Sequence, residues 1–140
     1  MADAPGFSCA ATLEGVRQLA GLLQASMQAA DVPDAARIDL ELAVVEAANN
    51  IVLHGIGDQA GMNIELSVRQ VPGGVEVVLE DGGSPIPSHL LDVVTKAGLE
   101  AESGRGLELI TACTDRVDYA SSAGRNRLVL FKALAGGTAT

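Results

Sequence analysis

A chain of 140 residues is long enough to bury a core as one domain without metal or disulfide staples. Its 48% hydrophobic content is that of a soluble globular domain, and a net charge of −9 leaves no broad basic surface on which nucleic acid could be held. Phe7, Tyr119 and Phe131 are the only aromatic residues, so the core must be aliphatic and rich in alanine, and stacking platforms for bases are lacking. Small phosphate ligands stay open, because a local pocket of backbone N–H groups and Mg²⁺ can hold them whatever the global charge, and basic protein partners are mildly favoured. Cys9 and Cys113 have no metal-ligand spacing, so neither a disulfide framework nor a zinc site is expected. There is no secretory pattern at the N-terminus and no apolar run of about 20 residues, so the expectation is a cytoplasmic protein with no membrane association.

Phe7 to Thr12 reads as a short extended segment. Leu13, Val16, Leu19, Ala20, Leu22 and Leu23 then recur at helical spacing up to about Ala30. Asp31-Val-Pro33-Asp34 breaks the chain, with Asp34 placed to cap a second helix. That helix runs from about Ala35 to His54 without proline or glycine, and Gly55 and Gly57 follow in the usual terminating position. Ile64, Leu66 and Val68 alternate with polar residues from Met62 to Val71, and after Pro72-Gly-Gly74 the alternation resumes in Val75, Val77 and Leu79, which makes an antiparallel hairpin. Asp81-Gly-Gly83-Ser-Pro85-Ile-Pro87 interrupts it, and Ser88 to Ser103 has no strong periodicity. Gly104-Arg105-Gly106 opens a short helix carrying Leu107, Leu109, Ile110 and Cys113. Two alternating runs, Arg116 to Ser121 and Asn126 to Ala133, joined by Ala123-Gly124-Arg125, close the domain, and residues 136–140 form a small polar tail expected to fray. Helices gathered on one face of a mixed, mainly antiparallel sheet give an α+β fold, a two-layer α/β sandwich.

The second helix carries the first functional signal. At about 100° per residue, Glu46 and Asn50 fall one turn apart on one stripe, with His54 a further turn on. Leu40, Val44, Ala47 and Ile51 flank that stripe on one side, and Ile38, Val45 and Val52 on the other. A helix apolar nearly all round is expected to be buried, so Glu46 and Asn50 need partners, either each other and a nearby backbone end or a ligand. Asp81-Gly82 can be a simple turn, and Gly104-Arg-Gly106 either a flexible joint or a phosphate loop. Their order within one domain calls for a single explanation.

Together these motifs resemble the Bergerat-type ATP-binding fold of gyrase, Hsp90, histidine kinases and MutL, with Glu46 to Asn50 similar to its N box, Asp81 to Pro85 to its G1 box and Gly104 to Leu107 to its G2 box. The strings VVEAANNIVLHG, DGGSPIP and GRGLELITACTDRVDY resemble the branch of anti-sigma factor serine kinases of bacterial partner-switching modules, over essentially the whole chain. The resemblance implies a histidine-kinase-like ATPase domain over residues 1–135, with ATP and Mg²⁺ as cofactors. It implies that Asn50 offers its side-chain oxygen to Mg²⁺, Glu46 serves as catalytic base, and Asp81 accepts from the adenine amino group. Gly83 would let the backbone approach the base, and Gly104, Arg105 and Gly106 would meet phosphate at a helix N-terminus. Arg105 is either a charge-assisted phosphate contact or a solvated arginine. Arg17 resembles a partner-facing arginine, and His54 is read as capping the last carbonyls of its helix.

The implied activity is ATP-dependent serine/threonine phosphorylation of a STAS-domain anti-sigma factor antagonist by a homodimer that also sequesters a sigma factor. The alternative is a nucleotide-responsive binding regulator that transfers no phosphate. The chain departs from the pattern in three places. Pro85 stands where much of the wider superfamily has glycine, the segment between Pro87 and Gly104 is short for an ATP lid, and Asn126 and Arg127 stand where relatives tend to carry a threonine near the adenine.

Overall fold

The computed structural model describes residues 6–56, 61–85 and 105–134. Five strands, β1 (Phe7–Ala10), β2 (Asn63–Val71), β3 (Gly74–Asp81), β4 (Arg116–Ser122) and β5 (Arg125–Ala133), form one sheet in the order β1-β2-β3-β5-β4. Every pairing among them is antiparallel. Helices α1 (Leu13–Ala29), α2 (Asp34–Asn50) and α3 (Arg105–Cys113) accompany the sheet. Ile64, Leu66 and Val68 of β2, Val75, Val77 and Leu79 of β3, and Leu128 and Leu130 of β5 share one face and bury against Leu19, Leu23 and Met27 of α1 and Leu40, Val44 and Ala47 of α2. This is the two-layer α/β sandwich expected from the alternation of helical and strand periods.

Local chemistry explains the ends of the elements, and in places it differs from the expectation. Thr12 is not part of the strand. Its Oγ1 accepts the Gly15 N–H at 3.0 Å, which makes it the N-cap of α1. Gly15 lets that first turn lie on β1, where an added Cβ would stand 1.9 Å from the carbonyl oxygen of Ala10. Asp34 is not a cap either; Pro33 occupies that place without a side-chain bond, while Asp34 is the first helical residue and pairs with Arg37 at 2.5 Å. Its carboxylate still suits the positive end of the helix.

The long second helix has two parts. After Asn50 the backbone widens into a π-helical turn, Ile51–Ile56, so Gly55 lies inside a helical segment instead of terminating one. The helix is also not enclosed. Ile38 is 60% and Leu42 46% exposed, because a two-layer sandwich places nothing over the outer side of its helices. Glu46 and Asn50 are half-buried accordingly.

On the sheet face away from the helices, Glu76 is buried between Arg69 and Arg116, and the Arg116 guanidinium lies over the Phe131 ring, 4.7 Å from its centroid. Arg125 and Arg127 pair with Glu80 beside them. Val78 and Val129 are buried on this same face.

Hydrogen bonds to the sheet fix the direction of each helix. The Ala11 N–H bonds the Met62 carbonyl at 2.9 Å, so α1 starts where β2 starts, which is where β3 ends at Asp81. Gln70 Nε2 bonds the Ala30 carbonyl at 2.8 Å, so α1 ends beside the β2–β3 turn. From there α2 runs back over its 17 residues, about 25 Å, toward the Asp81 end. The Asp115 N–H bonds the Phe131 carbonyl at 2.8 Å, which ties the C-terminus of α3 to the turn end and directs its N-terminus toward Asp81 as well. The helices therefore deliver three separate pieces of sequence to one end of the sheet.

Candidate functional site

At that end the core closes on polar residues. Asp81 of β3, Asn126 of β5 and Ser121 of β4 occupy directly opposed positions on adjacent strands, in the same alternation as Leu79, Leu128 and Tyr119. Asp81 is 4% and Asn126 3% exposed, so each must find partners inside the protein. Asp81 Oδ1 accepts the Gly83 N–H at 2.8 Å and Asn126 Nδ2 at 3.0 Å. Asn126 Nδ2 also donates to the Gly83 carbonyl at 2.8 Å, and Asn126 Oδ1 accepts from Ser121 Oγ at 2.7 Å. Asp81-Gly82-Gly83 is thus an Asx turn, the simple turn that its composition suggests. It is at the same time a fixed carboxylate, since both bonds fall on Oδ1 and no described residue engages Oδ2.

Asp39, Ala43, Glu46 and Asn50 share one flank of α2, at spacings of four, three and four. Asp39 identifies where that flank faces, because its carboxylate meets Lys132 of β5 at 2.9 Å, and α3 packs along α2 on that side. Glu46 and Asn50 therefore line the α3 side of the helix in its C-terminal half, toward the Asp81 end. Among the described residues no hydrogen bond joins Glu46 to Asn50. Half-burial removes the demand for one, and both side chains are left able to meet a ligand.

The first turn of α3 brings the backbone of Arg105 and Gly106 to the same end. Free N–H groups and the positive end of the helix dipole are gathered there, a setting that favours anions. Gly104 and the segment expected to serve as a lid lie outside the described residues, as does the side chain of His54. Arg17 is exposed on α1, on the outer side of the helical layer. Among the described residues no three of His, Cys, Asp and Glu come together. A cation beside Asn50 would accordingly take most of its oxygen shell from phosphate and water, the usual manner of Mg²⁺.

The sequence marks Asn126 as a departure on the expected base side but does not show that its amide meets Asp81. A second signal is a polar residue at a core-facing position of an otherwise alternating strand. The hydrogen bond from Lys132 to Asp39 raises the lysine pKa, and burial raises those of the Cys9 and Cys113 thiols.

The histidine kinase-like ATPase domain matches residues 9–132. A search of curated proteins finds no match. Similar solved structures include the RsbU and RsbW domains of Rv1364c from Mycobacterium tuberculosis, at TM-score 0.63 and 17% identity over 94% of this chain. This chain spans 33% of that one, a third of its length. Another is the SiaB–SiaC complex from Pseudomonas aeruginosa, at TM-score 0.64 and 12% identity, covering 92% of this chain and 89% of that chain. At these identities the likeness is one of fold. No described helix is long and apolar enough to cross a membrane.

Proposed function

The chain belongs to the histidine kinase-like ATPase domain family, and on that premise we propose that it is an ATP-dependent serine/threonine protein kinase of a partner-switching module, acting on a STAS-domain antagonist and holding a sigma factor in another state. The observation that carries this reading is the convergence of Glu46 and Asn50, Asp81 and Gly83, and the first turn of α3 at one end of the sheet. The likeness in fold to an RsbW domain and to the SiaB–SiaC complex supports a regulator that works through protein partners. A homodimer fits the same reading.

Asp81 would take the adenine amino group on Oδ2, with Gly83 beside the base. The backbone of Arg105 and Gly106, with Gly104 before them, would face the phosphates, and the Arg105 side chain would add a charge-assisted contact. Asn50 would hold Mg²⁺, which when bound neutralises phosphate charge. Glu46, one turn earlier on the same flank, would accept the proton of the acceptor hydroxyl while its oxygen bonds to the γ-phosphorus and the bond to the bridging oxygen of ADP breaks. Arg17, exposed on α1, is a candidate contact for the protein partner.

The test is transfer of label from γ-labelled ATP with Mg²⁺ to STAS-domain proteins of the same cell, with Glu46→Gln as control. Label on a serine or threonine only with the intact enzyme supports the kinase. Nucleotide binding with every candidate unlabelled supports a binding regulator without phosphoryl transfer.

A further inference from the structure

We infer that Asn126 is a positioning residue that makes Asp81 an acceptor-only reader of the nucleobase and so sets the preference for a 6-amino over a 6-keto purine. This rests on the reading of Asp81 as the base-side carboxylate and adds the group that orients it. The orientation of the Asn126 amide follows from its surroundings. Ser121 Oγ donates to Oδ1 at 2.7 Å, while Nδ2 faces two acceptors, Asp81 Oδ1 at 3.0 Å and the Gly83 carbonyl at 2.8 Å. The reversed amide would set its oxygen against both acceptors, so only one orientation satisfies the buried group.

Two donors, one from Asn126 and one from the Gly83 N–H, pin Asp81 Oδ1 and with it the plane of the carboxylate. Oδ2 is then presented in a fixed direction as an acceptor. An exocyclic amino group satisfies it, whereas a keto oxygen in the same place sets acceptor against acceptor. Asn126 also latches the loop, since the bond to the Gly83 carbonyl ties the residue after the turn to β5. Without Asn126 the carboxylate keeps a single neighbouring donor and can rotate to accommodate either base.

The experiment is calorimetric titration of the full chain with Mg·ADP and with Mg·IDP, which presents a 6-keto purine on the same sugar and phosphates. The variants are Asn126→Leu, close in size and without the amide, and Ser121→Ala at an exposed position of an edge strand, with Asp81→Asn as reference. Wild type is expected to favour ADP, Asn126→Leu to shrink that preference about tenfold, and Ser121→Ala to shrink it about threefold. Equal losses of ADP and IDP affinity, with the ratio unchanged, would reduce Asn126 to a structural role and overturn the inference. If Asn126→Leu does not fold, an unchanged ratio in Ser121→Ala overturns it alone. A wild type without preference, or Asp81→Asn retaining it, removes the base-side role of Asp81 instead. Loss of preference in Asp81→Asn with both other variants unchanged removes only the role of Asn126.

Discussion

Lys132 Nζ lies 2.9 Å from Asp39 Oδ2 and ties the first half of α2 to β5, at the end of the sheet opposite Asp81. The lysine is mostly buried, the carboxylate more than a third exposed. The pair therefore belongs with partly solvated ion pairs, worth about 0.5–1 kcal/mol.

Lys132→Met is expected to cost about that much at neutral pH. The hydrogen bond to Asp39 raises the lysine pKa in the folded protein. The contribution is therefore fully present below the ordinary lysine range, about 10.4, and is lost as pH rises through the raised folded value. Urea midpoints of wild type and variant should keep their gap from pH 8 to about 10 and converge only above about 10.4. A gap that stays constant would assign the effect to packing of the lysine stem.

Two glycines of α1 should respond in opposite directions to alanine. At Gly15 a Cβ would meet the Ala10 carbonyl oxygen at 1.9 Å, so Gly15→Ala must push the helix off β1, at about 1–3 kcal/mol. At Gly21 nothing lies within 4 Å of the added atom, and the gain in helix propensity should stabilise by about 0.5–1 kcal/mol. Thermal unfolding of the two variants gives both signs in one comparison.

Cys9 and Cys113 are buried, and burial raises both thiols; Asp39 raises Cys113 further while Lys132 works against it. Both should react slowly with a disulfide reagent at pH 8 in the native protein and rapidly in urea. Fast native labelling of either would show that the helical layer opens over it.

Asn50→Ala should abolish Mg²⁺-dependent nucleotide binding measured by calorimetry, and unchanged affinity would remove Asn50 from the metal. Glu46→Gln should bind ATP as wild type does while phosphoryl transfer falls about 10²–10⁴-fold. An unchanged transfer rate would place the hydroxyl under another group.

Much of the fold was legible because its signals are local. The 3.6-residue spacing of Val16, Leu19, Leu23 and Met27 and the two-residue spacing of Ile64, Leu66 and Val68 are set by which side chains one element turns inward. Pro72-Gly73 and Ala123-Gly124 stand at hairpin turns where Gly73, Ala123 and Gly124 have positive φ. The exposure of Ile38 and Leu42 was not legible, since a run of apolar residues does not say how many layers will cover it. The bond of Asn126 to Asp81 was not legible, because it exists only through the register that sets the two residues opposite each other.

The sequence by itself determined the elements, their order and the chemistry that each motif could offer. Only the tertiary structure decided that α1 returns the chain beside the β2–β3 turn, that the C-terminal half of α2 and the first turn of α3 both lie toward Asp81, and that Asn126, itself bonded by Ser121, holds that carboxylate. The physical reason is range. Periodicity and turn chemistry act over a few residues, whereas the bond from Asn126 to Asp81 spans 45 positions and exists only once strand register has aligned β3 with β5.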